Sequence, residues 1–71
     1  MRKKITFITG ANGEIGQGLI KLLHRNGIKN ILAFDLNPIN EGIKDLVAYD
    51  ISGDILNNNL LDQINIEYEI E

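Results

Sequence analysis

The chain contains no cysteine. Disulfide bonds, which stabilise many small domains, are therefore excluded, and so are zinc sites built from thiolates. The sequence also lacks an apolar run approaching about 18 residues, so no segment is predicted to span a membrane. The apolar stretch behind the basic start at residues 1–4 ends within five residues. That stretch is too short for a secretory signal, and we expect a cytoplasmic location.

The length of 71 residues leaves room for one small core but not for two domains. Positive charge is concentrated early in the chain, because residues 1–29 hold six of the seven Lys and Arg. These residues are divided between the start of the chain and the polar side of one predicted helix. A nucleic-acid surface clusters its basic groups instead. We interpret them as a solvated surface and do not expect nucleic acid as a partner.

Hydrophobic periodicity predicts alternating strands and helices. The predicted elements are a strand at 5–9, a helix from Ile15 to the stop at Asn26-Gly27, a strand at 31–34 that ends at Asp35, a turn or two of helix near 41–44, a strand at 46–49, and a helical segment through Leu56, Leu60, Leu61 and Ile64. The core side of the first helix is predicted to consist of Ile15, Leu19, Leu22 and Leu23. The last eight residues, 64–71, alternate apolar and polar as in a strand.

The order β-α-β-(α)-β-α predicts an α/β fold with a parallel sheet. We expect three strands in the order 3-2-1, with the first strand as an open edge. The first helix would cover one face of the sheet, and few residues remain for the other face.

Three glycines occupy the predicted bend between the first strand and the first helix. Gly10 permits a tight turn, Gly13 lets backbone N–H groups approach a ligand, and Gly16 allows the helix to pack closely on the strand. The free N–H groups of the first helical turn point at this bend, where the helix dipole adds partial positive charge. The bend is therefore predicted to bind an anion such as a pyrophosphate.

An acid follows at the expected distance. Asp35 ends the second strand, 19 residues after Gly16, where its carboxylate can accept hydrogen bonds from both hydroxyls of an adenosine ribose. It would repel a 2′-phosphate, and no Lys or Arg follows closely, so NAD is favoured over NADP. The alternative role for Asp35 is to cap the turn at Asn37-Pro38. A P-loop is excluded because the sequence has no Gly-Lys pair.

Two ionisable side chains of the first helix receive modest roles. Glu14 is expected to point to solvent and to support the first turn of the helix. His24 is expected to be a solvated histidine on the polar side of the same helix.

The segment Thr-Gly-Ala-Asn-Gly-Glu-Ile-Gly at 9–16 resembles the extended short-chain dehydrogenase/reductase family, which includes nucleotide-sugar epimerases and dehydratases. The family's glycine pattern is Gly-x-x-Gly-x-x-Gly, and Asp35 matches its acid after the second strand. The resemblance implies a Rossmann-type doubly wound parallel sheet and NAD as the cofactor. It also implies an Asp–aliphatic pair beside the adenine, for which Asp50-Ile51 is preferred and Asp54-Ile55 is the second candidate. The implied cofactor-binding residues are Gly10, Asn12, Gly13, Glu14, Ile15, Gly16, Asp35, Asp50 and Ile51.

The family's catalytic Tyr-x-x-x-Lys pair is missing. Tyr49 is followed four residues later by Gly53, and Tyr68 has only three residues after it. No catalytic residue is therefore assigned, and residues 1–71 are expected to be the incomplete amino-terminal segment of a dinucleotide-binding domain. The parent protein would be an enzyme, or a non-catalytic dinucleotide-binding regulatory module, with any homo-oligomer contacts outside this chain. A third reading is a scaffold whose glycines serve only packing.

Overall fold

The computed structural model describes residues 3–70, which form four strands and three helices. In chain order these are β1 (Lys3–Thr9), α1 (Glu14–Arg25), β2 (Ile31–Asp35), α2 (Glu41–Lys44), β3 (Tyr49–Ser52), α3 (Asn58–Glu67) and β4 (Tyr68–Ile70). All the paired strands run parallel, in the order β3-β2-β1-β4. The predicted α/β class with a parallel sheet is confirmed. Within the described range, no helix is long and apolar enough to cross a membrane.

Strand β2 is buried on both faces of the sheet. Ile31 and Ala33 belong to a core with side chains from α1 and α2, whereas Leu32 and Phe34 belong to a second core with Ile64 of α3. The apolar run at 31–34 is continuous, as is typical of a strand buried on both faces of a parallel sheet. Because α3 supplies the second core, the expectation that one face of the sheet would find little cover is wrong.

Helix α1 turns a different side to the sheet from the one predicted. Gly16 and Ile20 are its buried residues, and Leu23 packs partly against them. Ile15 is instead 87% exposed, and Leu19 and Leu22 are exposed as well. The cause is the first turn of the helix, where Gly16 packs directly on the backbone of residues 10 and 11 and so fixes the rotation of the helix.

Strand β3 starts later than predicted. It runs over Tyr49–Ser52, with Ala33 opposite Asp50 and Phe34 opposite Ile51. Leu46 and Val47, which were assigned to the strand, lie before it and pack against the core beneath α1 and α2. Their apolar character reflects that packing, so the apolar run at 46–49 marked burial and not the position of the strand.

The end of the chain combines a helix with a short strand. Asn57 accepts a hydrogen bond from the Leu60 N–H (3.2 Å) and caps α3, which continues through Glu67. The strand predicted from the alternation over 64–71 is therefore wrong for residues 64–67, and its last residue, Glu71, lies outside the described residues. Strand β4 then pairs with residues 3–5 of β1. The first strand is consequently not an open edge along its whole length, and in the part of the chain that the structure describes only its carboxyl half lacks a partner on that side.

Candidate functional site

The carboxyl ends of β1, β2 and β3 meet at one edge of the sheet. The glycine-rich bend follows β1, Asp35 ends β2, and Gly53 and Asp54 follow β3. The Gly53 N–H donates to the Asp35 carbonyl oxygen (2.9 Å), and the Ala11 N–H donates to the Phe34 carbonyl oxygen (3.1 Å). These backbone bonds join the three loops into one surface at the edge where parallel sheets place their ligands.

The three glycines of the bend each meet a separate steric requirement. Gly10 has a φ of +62°, in the left-handed region that favours glycine. A Cβ on Gly13 would lie 3.2 Å from the Gly10 carbonyl oxygen, and a Cβ on Gly16 would overlap that same oxygen. Gly18, farther along α1, has open space around the corresponding position. The spacing 10, 13 and 16 is therefore imposed by the path of the backbone, and it leaves the bend without side chains.

The amino terminus of α1 lacks the side-chain cap that the other helices have. Gly13 is its N-cap, whereas Asn40 caps α2 through the Gly42 N–H and Asn57 caps α3. Among residues 3–70, the backbone N–H groups of Glu14, Ile15 and Gly16 find no acceptor. Uncapped N–H groups at a helix start can serve an anion.

Two other N–H groups of the bend already donate to acceptors within the protein. The Asn12 N–H donates to Asp35 Oδ2 at 2.9 Å, and the Gly13 N–H donates to the Gly10 carbonyl oxygen at 3.0 Å. Asn12 and Gly13 are among the residues implied to bind the cofactor, but their N–H groups are not available to it. The free donors are those of residues 14–16.

Asp35 is held by one backbone N–H on each carboxylate oxygen. The Asn37 N–H donates to Oδ1 at 3.1 Å and the Asn12 N–H donates to Oδ2 at 2.9 Å. These two bonds, with Asn37 as the larger cause, hold the pKa of Asp35 below its usual value. A carboxylate has about four acceptor sites, so the ionised Asp35 keeps capacity for two further donors. The bond to Asn37 also agrees with the alternative role of Asp35 as the cap of that turn.

Two open clefts lie on either side of the end of β1, and Thr9 and Gly10 line both of them. The first has a volume of about 330 Å³ and is also lined by Phe34, Asp35, Leu36, Gly53, Asp54 and Ile55. The second, of about 420 Å³, runs along the start of α1 and is also lined by Ile8, Gly13, Glu14, Ile15, Gly16 and Leu19. The acceptor on Asp35 and the donors of α1 are therefore reached from adjoining clefts.

Of the two Asp–aliphatic pairs, the second candidate, and not the preferred one, follows the third strand. Asp50 and Ile51 were expected in the loop after the third strand, and this is wrong because both lie within β3. Asp50 is 3.9 Å from Lys44 Nζ, and Ile51 packs into the core beneath α3. Asp54 and Ile55 follow the strand and line the first cleft. The residue that marked the true end of the strand in the sequence was Gly53.

The sequence did not predict two features, the side-chain bonds of Asn12 at the bend and the surroundings of His24 in the last turn of α1. The Asn12 side chain bonds to the β2–α2 loop, and the Gln17 side chain donates to the Asn12 carbonyl oxygen at 2.7 Å. His24 is half-buried, and its Nδ1 atom has no hydrogen-bond partner within the described residues, in contrast to the solvated ring that was expected. Glu14 is exposed, as predicted. No sequence pattern identifies the Asn12 contacts, because their partners lie 25 to 28 residues away.

The fold and the site define a small α/β protein with a glycine-rich bend and a neighbouring carboxylate at the carboxyl edge of a parallel sheet. No protein-family model matches the sequence, and searches of curated proteins and of solved structures give no significant match.

Proposed function

We propose that this chain is the NAD-binding portion of an extended short-chain dehydrogenase-type epimerase, dehydratase or oxidoreductase with a Rossmann-type sheet. One observation carries the proposal: the Asp35 carboxylate touches the glycine-rich bend directly, through the 2.9 Å bond from the Asn12 N–H. A ribose acceptor and a set of anion donors are thereby joined within one surface. A dinucleotide presents both complementary groups, ribose hydroxyls and a pyrophosphate, a short distance apart.

The residues of the site fit the two halves of such a ligand. The free N–H groups of Glu14, Ile15 and Gly16 would donate to the pyrophosphate, and the glycines leave the bend clear of Cβ atoms that would hold it away. The Asp35 carboxylate would accept from the ribose hydroxyls. Asp54 and Ile55 line the first cleft and are the better candidates for the adenine side of the site. When bound, NAD would supply the hydride chemistry.

The charge around Asp35 favours NAD over NADP. Its lowered pKa keeps the carboxylate ionised at neutral pH, so a 2′-phosphate placed there would be repelled. Residues 36–40, which follow Asp35, include no Lys or Arg to offset that repulsion.

The chain itself would hold the cofactor without transferring hydride. Its two tyrosines begin β3 and β4, at the amino edge of the sheet, and their ring centroids lie 5.1 Å apart. Lys3 lies over the Tyr49 ring at 5.2 Å from its centroid. This packing places both phenols at the opposite edge from the glycine bend, so neither serves as a proton donor there. The alternative, a non-catalytic dinucleotide-binding regulatory module of the same fold, is equally compatible with this packing.

Titration of NAD and NADP by calorimetry tests the proposal. Wild type should bind NAD more tightly than NADP. Gly13→Val should bind NAD more weakly, because its side chain would crowd the Gly10 carbonyl and the approach to the helix start. Asp35→Ala should lose NAD affinity and gain NADP binding. Gly18→Ala is the matched control, because it adds a Cβ to the same helix in open space.

Two outcomes would contradict the proposal, one for the pyrophosphate role of the bend and one for dinucleotide binding as a whole. Equal NAD binding by wild type and Gly13→Val would remove the pyrophosphate role of the bend. A wild-type chain that is folded by circular dichroism but binds neither dinucleotide at millimolar concentration would refute the function as a whole.

A further inference from the structure

The side-chain amide of Asn12 connects the glycine-rich bend to the β2–α2 loop, residues 36–40. Asn12 Nδ2 donates to the Pro38 carbonyl oxygen at 2.8 Å, and Asn12 Oδ1 accepts from the Asn40 N–H at 2.6 Å. These two groups belong to the peptide units on either side of Ile39, which is buried in the core with Ala11. The side-chain amide of Asn12 therefore forms hydrogen bonds with the loop on both sides of Ile39.

All the polar groups of Asn12 are engaged within the protein. Besides these two side-chain bonds, Nδ2 donates to the Asn37 carbonyl oxygen at 3.4 Å. The Asn12 N–H donates to Asp35 Oδ2, and its carbonyl oxygen accepts from Gln17 Nε2. A ligand would find no free donor on the Asn12 side chain. Any role of Asn12 in binding must therefore come from the groups that it holds in place, which are the loop and Asp35.

The carboxylate of Asp35 depends on the contact between bend and loop. One of its oxygens is bonded by Asn12, which belongs to the bend, and the other by Asn37, which belongs to the loop. If the loop moved away from the bend, the carboxylate could not keep both bonds. Leu36, which lies between Asp35 and Asn37 and lines the first cleft, would move with the loop.

We propose that Asn12 is a positioning residue that latches the β2–α2 loop to the glycine-rich bend, and that this latch sets the affinity and selectivity of the site for the adenosine ribose. The inference rests on the proposed function, because it concerns the same dinucleotide site. It assigns to Asn12 a role exerted through Asp35 and the loop, with no side-chain contact to the ligand.

The test is a titration of the 71-residue chain with NAD, NADP and ADP-ribose. Asn12→Ala removes the bonds to Pro38 and Asn40, together with the longer bond to the Asn37 carbonyl oxygen, and keeps the backbone N–H. We expect it to bind NAD and ADP-ribose roughly tenfold more weakly, an effect of the size of a net hydrogen bond or two. The NAD-to-NADP preference should fall as well, because the carboxylate that excludes the 2′-phosphate is no longer fixed. A residue that served stability alone would leave this preference unchanged.

A pair of variants at Asn40 separates the effect of losing a latch bond from the effect of destabilising the protein. Asn40→Ala and Asn40→Pro both lose the side-chain cap of α2, but only Asn40→Pro loses the N–H that bonds Asn12 Oδ1. The φ of −59° at Asn40 suits proline. We expect Asn40→Pro to reproduce the reduced preference of Asn12→Ala, and Asn40→Ala to keep the wild-type preference.

Three results would be decisive. Wild-type affinity and preference in Asn12→Ala, or equal preferences in Asn40→Ala and Asn40→Pro, would overturn the latch and leave the proposed function standing. A folded wild type that binds none of the three ligands would overturn the proposed function, and the latch with it. If Asn12→Ala does not fold, the Asn40 pair decides alone.

Discussion

Gly16 lies against the carbonyl oxygen of Gly10, so closely that a Cβ on Gly16 would overlap that oxygen. This contact fixes where α1 begins on the sheet and which side of the helix is buried. It also explains why Ile20 points to the core and Ile15 to the solvent.

Gly16→Ala should destabilise the fold, since neither partner in the clash is a flexible side chain. We expect a loss of about 1–3 kcal/mol in the free energy of unfolding, the usual cost of overpacking. Gly18→Ala, two residues on, should raise stability by about 0.5–1 kcal/mol because alanine is the better helix former. Urea unfolding followed by circular dichroism measures both. Equal effects from the two substitutions would contradict the packing described for α1.

Ile64 and Ile66 distinguish a helix from an alternating strand at the end of the chain. In α3, Ile64 is 3% exposed and Ile66 is 72% exposed, whereas a strand would turn both to the same face. Ile64→Ala should therefore cost about 2–5 kcal/mol, and Ile66→Ala less than about 0.5 kcal/mol. Similar losses in the two variants, measured by urea unfolding, would favour the strand.

Asp35 should make stability depend on pH in the acid range. Its pKa in the folded chain is lowered from the ordinary value of 3.8, so its stabilising contribution is fully present above that value. The contribution is lost as the pH falls from 3.8 through the lower folded pKa. Asp35→Asn should thus be less stable than wild type at neutral pH, and the gap should narrow in acid. Urea titrations at a series of pH values measure the gap, and a constant gap would contradict the lowered pKa.

Substitutions at Asp54 and Asp50 test which of the two Asp–aliphatic pairs belongs to the proposed NAD site. Asp54 lines the first cleft, whereas Asp50 lies within β3 and forms an exposed ion pair with Lys44. Asp54→Ala should weaken NAD binding roughly tenfold, as expected for one lost hydrogen bond to a charged group. Asp50→Ala should bind as wild type does, because exposed ion pairs contribute little. Both affinities are measured by calorimetric titration. If Asp50→Ala weakened NAD binding and Asp54→Ala did not, the adenine side of the site would be assigned to Asp50-Ile51.

The sequence predicted those features that depend on neighbouring residues. Helix α1 ends at Asn26-Gly27 with Gly27 at a φ of +84°, and β2 ends at Asp35, both as expected. Periodicity and glycine placement are local signals, and they located the bend and its acid without any knowledge of packing.

The errors arose where a local pattern had two structural solutions. Leu46 and Val47 are apolar because they pack beneath the helices, and no neighbouring residue distinguishes that packing from a strand. The alternation at 64–67 likewise agrees with a strand until the cap at Asn57 and the burial of Ile64 are known. The Asn12 bonds are beyond any local pattern, since they join residues that only the folded sheet brings together.

The latched loop also limits how the sequence can vary in length. Exposed connections usually tolerate insertions, and residues 36–38 are exposed. Here, however, Asp35 is bonded to the bend at one end, and Ile39 is buried with both of its flanking peptide groups bonded to Asn12. An extra residue between Asp35 and Ile39 would displace one of these two residues from its present position and break its bonds to Asn12. Sequences that share this bend and loop should therefore keep the interval between the acid and the buried isoleucine constant, even where the residues within it differ.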